Sequence, residues 1–340
     1  MEFLFEYGYF LLKTITIVIL VAVPIFLIIS SMRQEHDSGE SLKIKNLTKR
    51  YEAMANSIKA LTMTKDEKKK LKKSLKKEKK NSPKSKKKPV YVLNFDGDID
   101  ASNVANLKEE INAILQSETK CEEIVLNLES AGGTVIGYGL AAAQLQRIRD
   151  AGINLTACVD KIAASGGYMM ACVANKIVSA PFAIIGSIGV VAAIPNFHKI
   201  LKKNDIDYEL HTAGEYKRTI TTFGETTDEG RKKFKEDLHD IHELFKDHVS
   251  KFRPSLDIAK VATGEIWEGS KALEVGLIDS ISTSDEYLMN FAKKHEVYEI
   301  RFEPKKKIQD KLSRFINVLL RDGIRTLSLI HISEPTRRRG

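Results

Sequence analysis

The chain has 340 residues, 43% of them hydrophobic, enough for one large folded domain with appendages. Its three cysteines, Cys121, Cys158 and Cys172, form no C-x-x-C pair, which argues against a disulfide framework or a thiolate zinc site and leaves them as small buried hydrophobes. The net charge of +9 is segregated. Residues 33–89 hold 20 Lys and Arg against 7 Asp and Glu, residues 301–340 hold 11 against 4, and the stretch between them is net acidic. The basicity belongs to the flanks and is no signature of a nucleic-acid partner.

In chain order, residues 14–32 carry no charge over 19 positions, a length that nearly spans a bilayer core as a helix. Glu2 and Glu6 in the leader and the length of the apolar run favour an uncleaved anchor, residues 1–32, over a cleaved signal peptide. Residues 33–89 read as a Lys-rich stalk with helical character over 42–75, either a solvated spacer or a contact for anionic headgroups. Arg33, Lys43, Lys45, Lys49 and Arg50 follow the apolar run, and the positive-inside rule alone would keep the following domain in the cytoplasm.

The folded region opens with a strand at 91–95, a helix over 101–116, and a strand at 123–128. A helix over 134–149, a strand at 154–159, a helix over 165–173 and a strand at 176–179 follow. This alternation predicts βαβ units and a largely parallel sheet. The apolar run 180–195, broken by Gly186 and Gly189, reads as buried core, residues 207–211 as a short strand, and 227–251 as a long helix. His239, His242 and His248 on that helix read as a solvated face rather than a metal site. A last strand at 298–302 precedes an amphipathic helix to about 327. Residues 328–340 show no period and read as a disordered or non-native tail.

Three Gly-containing turns stand at ends of predicted strands, where reactive groups of open α/β sheets gather. In Glu129-Ser130-Ala131-Gly132-Gly133 the backbone N–H groups can meet an anion, or the turn can be no more than a turn. In Ala163-Ala164-Ser165-Gly166-Gly167-Tyr168 the serine stands at a helix N-terminus, as a nucleophile or as an inert cap. Gly186-Ser187-Ile188-Gly189 offers a second hydroxyl. No G-x-S-x-G elbow surrounds Ser165. His198, His211 or a lysine of lowered pKa, such as Lys217, are the available bases.

Taken together, ESAGGTVIGYGLA, VDKIAASGGYMMACVANKIVSAPFAIIGSIGVV, HTAGEYKR and RPSLDIAKVATGE resemble the SohB-type branch of the signal peptide peptidase A family, over about residues 90–300 in unbroken order. The resemblance implies an α/β, ClpP/crotonase-like fold of stacked ββα units, here a peptidase domain preceded by one transmembrane helix and a basic helical stalk. It implies Ser165 as nucleophile and Lys217 as general base. The Gly132 amide, with that of Gly166, is implied as the oxyanion hole, and Ser187 as the group orienting the lysine. Ala131 stands where many members have Pro, which removes no catalytic group. No metal or organic cofactor is implied. Membrane-associated peptides such as remnant signal peptides are the implied substrates. The bilayer and further copies of the chain, in a ring or dome, are the implied partners, at a bacterial inner membrane with the catalytic domain on the periplasmic side. A crotonase-like acyl-CoA enzyme and a non-catalytic membrane scaffold are the competing readings.

Overall fold

The computed structural model describes residues 7–16, 18, 41–69 and 88–304. Residues 7–16 are helical, with the Lys13 ammonium 4.6 Å over the Tyr9 ring. Most of the apolar run 14–32, the stalk from residue 70 to 87, the amphipathic stretch from 305 and the tail lie outside the described residues. No helix among the described residues is long and apolar enough to cross a membrane.

Residues 42–302 form one compact unit built on a ten-stranded sheet. The strands are β1 (Ser41–Asn46), β2 (Val90–Gly97), β3 (Glu123–Ser130), β4 (Leu155–Val159), β5 (Ile162–Ala164), β6 (Lys176–Ser179), β7 (Ile184–Gly186), β8 (Ile266–Glu268), β9 (Ser280–Ile281) and β10 (Val297–Glu303). The helices are α1 (Leu47–Thr62), α2 (Val104–Gln116), α3 (Val135–Asp150), α4 (Gly166–Ala171), α5 (His198–Lys203), α6 (Asp228–Phe252), α7 (Ile258–Val261), α8 (Gly269–Glu274) and α9 (Ser284–Ala292).

The main path runs β1-β10-β2-β3-β4-β6-β9, and the pairs from β10 to β9 are parallel. Strand alternation sorts the core onto two faces. Leu93, Phe95, Leu126, Leu128 and Ala157 face Leu107 and Ile111 of α2 and Tyr138 and Leu145 of α3. Val90, Val92, Val125, Cys158 and Val178 point the other way, toward Leu47 of α1 and Leu288 of α9. Cys158 and Cys172 are buried, and burial pushes both thiols well above their ordinary range, so they pack rather than react.

The sheet forks at β3. Residues Ile124 to Asn127 of this strand pair with β4, while Ser130 at its end pairs with Ala163 of β5. β5 then pairs in parallel with β7, and β7 pairs antiparallel with β8. This split brings the ends of β3, β5 and β7 side by side.

Four expectations are corrected. Residues 42–46 are strand rather than helix, and this part of the stalk region lies on the body. β1 sits beside β10, Leu47 is 5% exposed, and the Thr48 hydroxyl accepts the Val297 N–H at 3.0 Å. Residues 207–211 form no strand and are exposed, because the alternation of Asp207-Tyr208-Glu209-Leu210-His211 finds no sheet edge. The run 180–195 is only partly core: Ile185 and Ile188 are buried, yet Phe182 is 89% and Val191 90% exposed. Finally, two of the three histidines of α6 are half-buried against the body rather than fully solvated. His242 Nε2 meets the Ile188 carbonyl at 3.2 Å and His248 Nε2 the Met169 carbonyl at 3.0 Å. Burial lowers the His248 pKa, which suits a neutral ring donating to a carbonyl.

Two polar devices hold the unit together and each yields a test. Arg253, at the end of α6, grips Asp279 through both guanidinium nitrogens at 2.8 and 2.9 Å and also donates to the Gly276 carbonyl at 2.9 Å. Asp279 in turn accepts the Ile177 N–H at 2.7 Å. Arg253→Ala is expected to cost about 2–3 kcal/mol in denaturant unfolding, since bidentate charge-assisted bonds are lost and Asp279 keeps its charge. A change below about 0.5 kcal/mol would place this pair among inert surface ion pairs.

Glu110 of α2 is 4% exposed. Its Oε1 accepts the Phe302 N–H at 2.8 Å, while Oε2 has no partner among the described residues. Burial pushes this carboxyl up from 4.5 to about 7, against the opposing pull of the Phe302 N–H and Arg301. The folded state then holds the proton longer than the unfolded chain, so stability falls as pH climbs from about 4.5 through 7. Glu110→Gln keeps the acceptor and removes the charge. Its Tm is expected to exceed the parent's by about 3–6 °C at pH 8 and to match it at pH 4. The same Tm difference at both pH values would refute the burial argument.

Candidate active site

β5 ends at Ala164, and α4 begins at Gly166. Ser165 is the single residue between them, with φ +52° and ψ −119°. A non-glycine residue in this region is strained, and the strain persists only where the surroundings impose it. Here they do: the Ser165 N–H donates to the Gly186 carbonyl at 2.8 Å, and the Ser165 carbonyl accepts from Met169 N–H at 2.9 Å. The side chain therefore leaves a strand-to-helix corner at the N-terminus of α4, although no G-x-S-x-G sequence marks it. α4 itself is fixed by Tyr168, fully buried, whose hydroxyl donates to the Leu277 carbonyl at 2.8 Å.

Ser187 stands beside it. Ala164 and Gly186 are register partners, so Ser165 and Ser187 are the next residues on adjacent parallel strands. Gly186 has φ +98° and Ser187 has φ +52°, and the Ser187 N–H is held by the Glu265 carbonyl at 2.7 Å. The third turn closes on the same point. A Cβ on Gly132 would lie 2.8 Å from Ser165 Cβ and 2.7 Å from Gly166 N, and Gly132 has φ +89°. Glycine is required there on both counts. The structure thus brings together Gly132, Ser165, Gly166 and Ser187.

The amides differ in availability. Gly132 N–H is donated to Ser130 Oγ at 3.0 Å, so in this arrangement it is already engaged. Gly166 N–H opens a helix and has no intrahelical acceptor. Neither it nor the Gly133 N–H makes a hydrogen bond among the described residues. Gly133 was not singled out from the sequence, although it stands in the same Gly-Gly pair.

Lys217 is not brought to Ser165 by any hydrogen bond among the described residues. It is exposed, in a turn closed by its own N–H to the Gly214 carbonyl at 3.2 Å. The loop of residues 204–227 is pinned near its ends, where the Phe223 ring lies between those of Phe197 and Tyr208 and Asn196 donates to the Thr221 and Gly224 carbonyls. Residues 209–218 are exposed. His198 and His211, the other bases considered, make no hydrogen bond to Ser165 either, and His211 is exposed beside Glu209 at 3.3 Å. Among the described residues no group of three or more His, Cys, Asp or Glu is placed to hold a metal ion.

Residues 2–145 match the N-terminal region of peptidase family S49, and residues 147–298 match peptidase family S49. A probable protease SohB from Haemophilus influenzae is 46% identical over 332 residues, covering 92% of this chain and 93% of the relative. Another, from Buchnera aphidicola subsp. Acyrthosiphon pisum, is 49% identical over 315 residues, covering 92% and 94%. Among solved structures, a mutant of the 1510-N membrane-bound stomatin-specific protease, in complex with a substrate peptide, aligns with 16% identity and a TM-score of 0.43, covering 68% of this chain and 99% of that one.

Proposed function

From the premise that the chain belongs to peptidase family S49 as a SohB-like member, we propose that it is a serine endopeptidase with a Ser165–Lys217 dyad. The observation that carries this reading is the strained Ser165 at the N-terminus of α4, with a glycine turn closed against its side chain. Such a corner exposes a nucleophile and places backbone N–H groups where negative charge develops.

In this mechanism the neutral Lys217 amine takes the Ser165 proton as Oγ attacks the peptide carbonyl. The tetrahedral oxyanion is held by the Gly166 N–H together with an amide of the 132–133 turn, that of Gly133 while the Gly132 N–H holds Ser130. Collapse expels the amine, which takes a proton from Lys217, and water then hydrolyses the acyl-enzyme with Lys217 again as base. The loop of residues 204–227 must first carry the Lys217 amine to hydrogen-bond reach of Ser165, where the Ser187 hydroxyl orients it. We read the fold as ClpP/crotonase-type, with membrane-associated peptides as substrates. The 19 uncharged residues 14–32 support an inner-membrane anchor, with the catalytic domain periplasmic and copies assembled in a ring or dome.

The test is hydrolysis of an internally quenched Leu/Ala-rich peptide by detergent-solubilised full-length protein. Cleavage between pH 6 and 9 that is absent from Ser165→Ala supports the reading. No cleavage at any of these pH values favours a scaffold.

A further inference from the structure

Behind the Gly132 turn lies a buried chain of hydroxyls that the mechanism does not use. Ser130 is 2% exposed and Tyr138 fully buried. Gly132 N–H donates to Ser130 Oγ at 3.0 Å, Ser130 Oγ lies 2.5 Å from Tyr138 Oη, and the Tyr138 hydroxyl donates to the Asp98 carbonyl at 2.7 Å. The protons can be assigned without conflict. Tyr138 spends its only O–H on Asp98, so the Ser130 O–H is the donor between the two, and Ser130 Oγ keeps a lone pair for Gly132. Every hydroxyl in the chain is satisfied, and it ends on a backbone carbonyl of the turn after β2.

Tyr138 touches the other turn as well. Its ring lies so close to Gly166 that a Cβ there would overlap the ring carbons, and Gly167 has room for none against the Ser130 carbonyl. Gly97 leaves the space the two hydroxyls occupy: a Cβ there would lie 2.5 Å from both Ser130 Oγ and Tyr138 Oη. One buried side chain thus backs both the residue that follows Ser165 and the turn that faces it.

We infer that Ser130 and Tyr138 are positioning residues, which set the 131–133 turn against Ser165 and Gly166 and so fix the spacing of the oxyanion donors. This inference rests on the serine-peptidase reading. The pair touches no substrate atom, so its effect falls on turnover rather than on binding.

The test uses the full-length protein with Tyr138→Phe, Ser130→Ala and the double variant, beside Ser165→Ala, each with a thermal melt. Tyr138→Phe removes one oxygen and keeps the ring against Gly166. Each single variant is expected to lower kcat about 10- to 100-fold, less than outright loss of an oxyanion donor, with KM within about twofold. The double variant should fall no further than the worse single, because both act through one chain. Both singles within twofold of wild-type kcat would overturn the inference, as would a loss of activity that only tracks the unfolded fraction at the assay temperature. If Ser165→Ala keeps wild-type turnover, the nucleophile assignment fails and this inference falls with it, a result distinct from the other two.

Discussion

Ser165→Ala and Lys217→Ala are each expected to lower peptide hydrolysis by at least about 10⁴-fold while leaving the fold intact. In the proposed mechanism the two act as a unit. Without the base the hydroxyl is a poor nucleophile, and without the nucleophile the base has nothing to activate, so the double variant should be no worse than either single. Neither substitution removes a packing contact of the core. Ser165 is only half-buried and Lys217 is exposed, so circular dichroism and the melting temperature should stay close to those of the parent. Ser165→Ala retains the same strained backbone, which neither residue favours. Lys217→Arg is a useful companion. It keeps the charge and most of the reach, but a guanidinium does not deprotonate, so activity should not return. Recovery by Arg would mean that position 217 supplies charge rather than a base.

The second large effect is on stability as well as turnover. Gly132→Ala places a Cβ 2.7 Å from Gly166 N and 2.8 Å from both the Ala164 carbonyl and Ser165 Cβ, at a φ of +89°. The left-handed backbone alone costs an alanine about 1 kcal/mol. The steric conflict adds more, because two of the three neighbours are backbone and cannot rotate away. A loss of about 3 kcal/mol is expected in denaturant unfolding, with activity falling further than the unfolded fraction explains, since the turn must retreat from Ser165. Gly166→Ala presses on the fully buried Tyr138 ring and should cost a similar amount. By contrast, Gly139→Ala on α3 meets nothing within 4 Å and serves as the neutral control. Equal stability of Gly132→Ala and Gly139→Ala would show that the turn is free to move off the serine.

Much of this site was legible before the fold was seen, for a reason that the sheet makes plain. Three Gly-containing turns each followed an apolar run, and a parallel sheet collects such turns at one end. Strands β2, β3, β4 and β6 could be read from their buried runs, and α2, α3 and α6 from their spacing and the punctuation around them. The cap of α6 is Thr227, whose hydroxyl accepts the Gly230 N–H at 3.1 Å. Strands β5, β7 and β8 could not be read. Three residues carry no period, and their pairing is set by the split at the end of β3. Yet this pairing is what aligns Ser165 with Ser187.

Other features failed for local reasons. Residues 207–211 alternate as a strand would, but a strand needs a partner edge, and none is offered. Spacing on α6 shows which histidines share a face, not which face the body covers, so the contacts of His242 and His248 with the Ile188 and Met169 carbonyls had no sequence signal. Ser130 and Tyr138 were hidden in a different way. Tyr138 occupies a core position of α3, where an aromatic side chain is ordinary, and only the position of its hydroxyl shows a second task. Lys217 has no local signature among 54 basic residues, and its role comes from the family resemblance.

The central claim is that Ser165 is a nucleophile activated by Lys217. The direct measurement is covalent labelling of the full-length protein with a fluorophosphonate, followed by peptide mapping at several pH values. The account predicts a single modified serine, Ser165, labelled at a rate that collapses in Lys217→Ala. Modification of another serine, or undiminished labelling of Ser165 in Lys217→Ala, would contradict it.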